Sequence, residues 1–135
     1  EVPGGSYWEE WRRFMEEQVV TRGLVSEEDE ALYFVTDDVT AATDEILGFY
    51  RNYHSRRFVG DVMVLRIKKA PTDEELDRLN GQFADIVIEG GIELTEALPA
   101  ERASNDNIEL PRLAMRFDLL HHGRLRQLID ELNRL

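Results

Sequence analysis

The chain has three histidines that could take part in catalysis or metal binding, His54, His121 and His122. No H-x-x-x-H or H-E-x-x-H spacing places two imidazoles on one helical face, so the sequence predicts no metal site. His54 precedes Ser55, and the two residues have the types of a general base and a nucleophile. Adjacent residues seldom face each other and no acidic residue is placed to orient the ring, so we predict no catalytic role for this pair.

Basic residues concentrate in one segment and give a candidate anion site. Residues 51–70 contain one acidic and six basic residues, whereas residues 1–50 contain 13 acidic and three basic residues. Arg56 and Arg57 offer planar guanidinium groups to a phosphate, and Arg112 and Arg116 add a basic face on a later strand. The alternative, which charge patterning favours, is that these arginines pair with the acidic segments on either side or face water.

Two polar clusters have both a chemical and a structural interpretation. His121 and His122 precede the last predicted helix, where free N–H groups bind anions, and a polar turn is the alternative. The acidic residues at 27–30 and 37–38 could pass for a catalytic carboxylate pair. Helix capping and the helix dipole explain them without catalysis.

Composition excludes several classes of function. The formal charge of −12 argues against nucleic acid as a partner, because a phosphate backbone is bound by a basic face. The absence of cysteine excludes a disulfide framework and a thiol nucleophile. No apolar run approaches the roughly 18 residues that span a bilayer, and no signal-peptide pattern is present. We therefore expect no membrane partner and a cytoplasmic location.

Residues 1–54 are predicted to form a helix, a strand and a helix. Ser6 and Glu9 make a capping box before an amphipathic helix, residues 26–30 begin a helical turn, and residues 32–35 form a short apolar strand. Asp38 then caps a second helix. The apolar stripes of the two helices are Trp8, Trp11, Met15 and Val19 in the first and Ala42, Ile46, Phe49 and Tyr53 in the second. This order is typical of the tail of a doubly wound, Rossmann-like α/β domain.

Residues 55–135 are predicted to form a small α+β domain with a βαββα two-layer layout, in which helices cover one side of the sheet. Strands are expected at 62–67, 92–97 and 112–117, and a polar loop at 99–109. Thr72 and Glu75 cap the first helix, in which Gly81 predicts a close packing contact. The predicted inward residues are Met63, Leu65 and Ile67 of the first strand, Leu76, Leu79, Phe83 and Ile86 or Val87 of the first helix, Leu113, Met115 and Phe117 of the last strand, and Leu125, Leu128, Ile129 and Leu132 of the last helix.

Four segments carry a resemblance to a known family. They are SYWEEW (6–11), GLVSEEDEALYFVTDD (23–38), RNYHSRRFVGDVMVLRIKK (51–69) and GRLRQLIDELNRL (123–135). Together they resemble the C-terminal portion of long bacterial LONELY GUY (LOG) family proteins, which are Rossmann-fold nucleoside 5'-monophosphate phosphoribohydrolases often mislabelled lysine decarboxylases. The resemblance covers nearly the whole chain and implies the end of a Rossmann-like domain followed by an accessory domain.

The catalytic motif of that family, P-G-G-x-G-T-x-x-E, is absent. Pro3 begins a similar string, but Tyr7, Trp8 and Trp11 occupy the positions of its Gly, Thr and Glu. Aromatic rings there would block the approach of a phosphate to backbone N–H groups, and the carboxylate that acts on the N-glycosidic bond is missing. The resemblance therefore implies a non-catalytic segment, without a cofactor, that lacks its upstream half and self-associates through apolar faces. The alternative is a regulatory or oligomerisation module that binds a small anion, a phosphate or a nucleotide effector through Arg56, Arg57, Arg112 and Arg116.

Overall fold

A four-stranded antiparallel sheet with the order β1-β2-β4-β3 organises the protein. The computed structural model describes residues 1–135 and places β1 at Tyr53–Val59, β2 at Val62–Ile67, β3 at Glu93–Thr95 and β4 at Arg112–Met115. A two-residue turn joins β1 to β2, and its Gly60 has a φ of +64°, a conformation that favours glycine. β1 and β3 are therefore the edge strands of the sheet.

Five α-helices and three shorter helical segments surround the sheet. The α-helices are α1 (Tyr7–Phe14), α2 (Val39–Phe49), α3 (Asp73–Gln82), α4 (Pro99–Ser104) and α5 (His122–Leu132). A π-helical turn at Met15–Val20 extends α1, and 3-10 helices occupy Glu27–Leu32 and Ala84–Ile86. No helix is long and apolar enough to cross a membrane.

The hydrophobic core lies on one face of the sheet, beneath α3 and α5. Strand alternation directs Met63, Leu65 and Ile67 of β2 to this face, where they are fully buried. The other core residues are Leu113 and Met115 of β4, Phe117, Leu79 and Phe83 around α3, Ile86, and Leu125, Leu128, Ile129 and Leu132 of α5. The predicted inward stripes of both strands and both helices are confirmed, except that Leu76 is only partly buried. The capping box of Thr72 and Glu75 is also confirmed.

Residues 1–51 contribute no buried residue, although they contain two α-helices. The predicted strand at 32–35 is wrong, because the 3-10 helix continues to Leu32 and the following residues have no strand partner.

The chain is a mixed α+β protein with an antiparallel sheet, and the Rossmann-like tail stays a prediction. The predicted boundary between residues 54 and 55 falls within β1 and also stays a prediction.

Backbone contact at Gly123 anchors this first region to the rest of the protein. The N–H of Gly123 donates to the Asp29 side chain at 3.1 Å, across 94 residues of sequence. A Cβ at Gly123 would lie 2.6 Å from the backbone nitrogen of Asp29 and closer still to the carbonyl of Glu28. Only glycine allows the 3-10 helix to pack this closely on the start of α5.

Several local predictions are corrected by the structure. Ser6 does not cap α1; instead the Glu1 carboxylate accepts hydrogen bonds from the backbone N–H of Trp8 at 2.7 Å and of Glu9 at 3.2 Å. Gly81 has no packing neighbour, because no atom lies within 4 Å of the position of its missing Cβ. Ile46, expected on the inner stripe of α2, is exposed. Asp38 caps α2 as predicted, with its carboxylate accepting from the backbone N–H of Thr40 at 2.7 Å.

Candidate functional site

The sheet face opposite the core carries a buried network of charged side chains. Arg66 of β2 donates through Nε and Nη2 to one carboxylate oxygen of Glu101, at 3.0 and 2.8 Å. The same Nη2 donates to Asp106 at 2.7 Å, and Arg57 of β1 donates to Asp106 at 2.8 Å. Glu101 and Arg112 have no exposed side-chain surface and form the buried centre of this network, whereas Arg57 and Asp106 are partly exposed at its edge.

The short helix α4 positions Glu101 within this network. Pro99 starts the helix with a fixed φ, and the second oxygen of Glu101 accepts the backbone N–H of Leu98 at 3.2 Å. Burial raises the pKa of Glu101, but the hydrogen bonds from Arg66 and Leu98 and the charges of Arg112 and Arg66 outweigh it and hold the pKa below its ordinary value. Glu101 therefore stays ionised and compensates the two buried arginines.

Arg112 organises the loop that leads into β4. Its two terminal nitrogens donate to the backbone carbonyls of Leu110 at 2.6 Å and Asn107 at 2.7 Å, while its Nε lies 3.3 Å from Glu101. The predicted basic outer face of this strand is therefore wrong at Arg112, because the guanidinium is buried and used by the chain itself. Because the Arg112 side chain has no exposed surface, none of its donors is available to an outside ligand.

The four arginines predicted to bind an anion do not converge. Arg57 and Arg112 belong to the buried network, and Arg116 pairs with Glu89 and, at 2.8 Å, with Asp61. Side chains directly opposite each other in a sheet share a face, and Arg56 is opposite the core residue Leu65. Arg56 therefore lies on the core side of the sheet, where it is exposed and has no hydrogen bond or ion pair.

An open groove lies on the core side of β1, between α5 and the first region. Its volume is about 500 Å³, and Arg56 is at its rim. The remaining lining residues are Leu32, Phe49, Tyr53, His122, Leu125, Arg126 and Ile129. This groove combines apolar walls with a small number of polar groups, which is the usual composition of a small-molecule site.

A β-bulge in β1 brings the side chains of His54 and Ser55 together. These two residues lie opposite the single residue Arg66, and the His54 Nδ1 is 2.9 Å from the Ser55 Oγ. The expectation that adjacent residues would not face each other is therefore wrong at this position. Ser55 also accepts a hydrogen bond from Arg66 at 3.3 Å, and no carboxylate contacts the His54 ring. That this pair has no catalytic role stays a prediction.

The other polar clusters serve capping and packing. Asp29 accepts the backbone N–H of Gly123 and, at 3.2 Å, that of Ser26, so its carboxylate occupies the start of α5 where an anion site was considered. His121 lies 3.2 Å from Asp118 within the same turn. No group of three or more His, Cys, Asp or Glu residues could hold a metal ion.

Two buried asparagines, which the sequence patterns did not reveal, join the ends of four elements. The Oδ1 of Asn133 accepts the backbone N–H of Asn52 at 2.8 Å and of Tyr53 at 2.9 Å, and its Nδ2 donates to the Phe49 carbonyl at 2.7 Å. Asn52 in turn donates to the Leu132 carbonyl at 2.8 Å. In the sequence, the only sign of this junction is that Asn133, a polar residue, follows the last predicted turn of α5.

The chain was compared with family models, curated proteins and solved structures. No family model, curated protein or solved structure matches it.

Proposed function

We propose that this chain is a non-catalytic C-terminal segment of a LOG-like nucleoside 5'-monophosphate phosphoribohydrolase, in which it provides packing and subunit contacts. The proposal rests on the resemblance of four sequence segments and on the observation that residues 1–51 have no core of their own. A cytoplasmic location is part of the same proposal. The missing phosphate-binding motif and the absence of a catalytic cluster in the groove agree with a supporting role.

The exposed apolar side chains of the first region carry this proposal. Trp8 and Phe14 of α1 and Ile46 and Leu47 of α2 are exposed, although helices normally bury their large apolar residues. Residues 52–135, by comparison, enclose a continuous core. Exposed apolar surface of this kind is typical of a region that packs against another subunit or domain.

Light scattering across a range of concentrations tests the contact role. We expect the chain to self-associate, and we expect the double substitution Ile46→Lys, Leu47→Lys to weaken association at least tenfold. The matched control is the double substitution Ile88→Lys, Ile108→Lys, which introduces the same two charges at exposed isoleucines outside the first region. A monodisperse monomer at all concentrations, or equal effects of the two variants, would contradict a contact role for the first region.

An activity assay tests the non-catalytic part of the proposal independently. The chain alone is expected to release no ribose 5-phosphate from AMP above a buffer blank. Reproducible turnover that survives repurification would contradict it.

A second function, binding of a small anionic effector, is favoured by one observation. Arg56 is the one arginine of the four candidates without a carboxylate partner, and it borders the groove. We expect AMP or inorganic phosphate to raise the melting temperature of the chain, since a ligand that binds only the folded state stabilises it. The substitution Arg56→Gln should remove the shift, whereas no shift with either ligand would exclude this function.

A further inference from the structure

The bulge in β1 determines which arginine borders the groove. Tyr53 pairs with Ile67 and Arg56 pairs with Leu65, so both β1 residues lie on the core face although they are three positions apart. Regular alternation from Tyr53 would instead place Arg57 on this face. The extra residue at the bulge thus places the unpaired Arg56 on the same face of the sheet as Tyr53, and both residues line the groove.

Tyr53 supplies a second polar group that lines the groove. Its pKa is raised by burial, which outweighs the opposing effect of the nearby positive charge of Arg56. The hydroxyl therefore stays protonated at neutral pH, and it has no hydrogen-bond partner within the chain. A guanidinium and a phenolic hydroxyl with free donors suit a single anionic group.

The rest of the groove is apolar and partly aromatic. Phe49 contacts Tyr53 edge-on, with ring centroids 5.1 Å apart, and Leu125 and Ile129 of α5 also line the groove. These surfaces suit a flat apolar group, because aromatic and aliphatic side chains gain most from contact with such a shape. A volume of about 500 Å³ falls in the range of small-molecule sites.

Charge compensation at Arg126 restricts where in the groove an anion can bind. Arg126 also lines the groove, but it pairs with Glu45 and, at 2.9 Å, with Asp130, and its guanidinium stacks on the Phe49 ring at 4.9 Å. Two carboxylates beside one arginine repel a further anion. Arg56 is thus the only uncompensated arginine in the groove.

We propose that this groove binds a small molecule composed of a flat apolar body and one anionic group, with the anion held by Arg56 and Tyr53 and the body held between Phe49 and α5. The inference deepens the effector-binding function and rests on it, and it is independent of the subunit-contact role. It specifies the location, the orientation and the chemical class of the ligand.

Isothermal titration calorimetry with three probes tests the ligand class. 1-Naphthyl phosphate carries both parts, 1-naphthol carries only the flat body, and inorganic phosphate carries only the anion. We expect 1-naphthyl phosphate to bind at least tenfold more tightly than either of the other probes. Equal affinity of 1-naphthol would overturn the anion contact, and equal affinity of inorganic phosphate would overturn the role of the apolar body.

Two neighbouring substitutions test the location. Arg56→Gln should weaken binding of 1-naphthyl phosphate at least tenfold, whereas the control Arg57→Gln, on the opposite face of the sheet, should change it less than threefold. Circular dichroism checks that both variants are folded. Equal effects of the two substitutions would overturn the groove as the site. If Arg56→Gln does not change the binding of phosphate or AMP, the groove is not the binding site and the effector binds elsewhere on the chain. If none of the probes binds, both the groove site and the effector-binding function are overturned.

Discussion

Arg56 and Arg57 are adjacent in sequence but lie on opposite faces of the sheet, one at an open groove and the other in a buried charge network. Arg57 donates to Ser104 at 2.9 Å and to Asp106 at 2.8 Å, whereas Arg56 has no partner in the chain. One residue therefore contributes to structure, while its neighbour is free for a ligand. Because side chains alternate along a strand, two neighbouring basic residues of the sequence lie on opposite faces of the sheet.

Removing the charge of Glu101 should destabilise the protein strongly. Glu101→Gln leaves Arg66 and Arg112 buried without their shared carboxylate, and the loss of one member of a buried ion pair costs about 3–5 kcal/mol of unfolding free energy. Urea unfolding monitored by circular dichroism measures the change.

Glu96→Gln is the matched control for this substitution. Glu96 pairs with Arg102 on the surface, where both side chains are largely exposed, and such pairs contribute about 1 kcal/mol or less. Similar effects of the two substitutions would contradict the interior role of Glu101.

Stability should fall in acid, in part because of Glu101. Its folded-state pKa lies below the ordinary value, so its contribution is present above the unfolded pKa and is lost as the pH falls through the folded pKa. We expect unfolding free energy to decrease between about pH 5 and about pH 3.

The same measurement on Glu101→Gln identifies the carboxylate responsible. This variant should have a shallower pH dependence over that interval, with the remaining slope due in part to Asp85, whose pKa is lowered by its hydrogen bond from Arg124. Identical slopes in the two proteins would refute the assignment.

Adding one methyl group at Gly123 should detach the first region. Gly123→Ala places a Cβ against the backbone of Glu28 and Asp29, and a backbone cannot move aside as a flexible side chain can. Overpacking of this kind lowers the unfolding free energy by about 1–3 kcal/mol. Limited trypsin digestion should then cleave after Arg22 at a higher rate, while the fragment containing the sheet stays intact.

Gly81→Ala provides the opposite control. Gly81 lies in α3 with open space around its missing Cβ, so alanine should stabilise the protein by about 0.5–1 kcal/mol through helix propensity. If Gly81→Ala lowers the unfolding free energy and Gly123→Ala leaves it unchanged, our account of both positions is wrong.

Replacing Asn133 should loosen the junction of α2, β1 and α5. Asn133→Leu keeps a similar volume but leaves the backbone N–H groups of Asn52 and Tyr53 unpaired, at about 1–3 kcal/mol for each buried group. Hydrogen exchange should accelerate most at these two amides. If hydrogen exchange instead accelerates equally across the whole sheet, Asn133 does not act locally at this junction.

The sequence predicted those elements whose apolar residues follow a clear period. β2 and α5 have regular stripes, and Thr72 and Glu75 mark the start of α3, so these elements were found within a few residues. β1 was not predicted, because arginines interrupt its apolar residues and the bulge breaks its alternation. α4 was predicted as a loop, since its six residues bury only Glu101.

The candidate site was less predictable, because it depends on long-range pairing. The pairing of Arg66 with Glu101 spans 35 residues, and no local pattern reveals that Arg112 will be enclosed by carbonyl groups. The groove depends on the docking of Leu32 near α5, which follows from the close backbone contact at Gly123. Sequence composition identified the basic segment but not which of the four candidate arginines lacks a carboxylate partner.

The bulge in β1 also bears on which length changes the fold tolerates. Because His54 and Ser55 together occupy one position opposite Arg66, a chain lacking Ser55 would have a regular hairpin in which every later side chain keeps its present face. Loss of a residue closer to the turn, such as Phe58, would instead force the hairpin to be rebuilt with some side chains turned inside out. Deletion of one residue from β1 should therefore be tolerated at residues 54–55 but not closer to the turn.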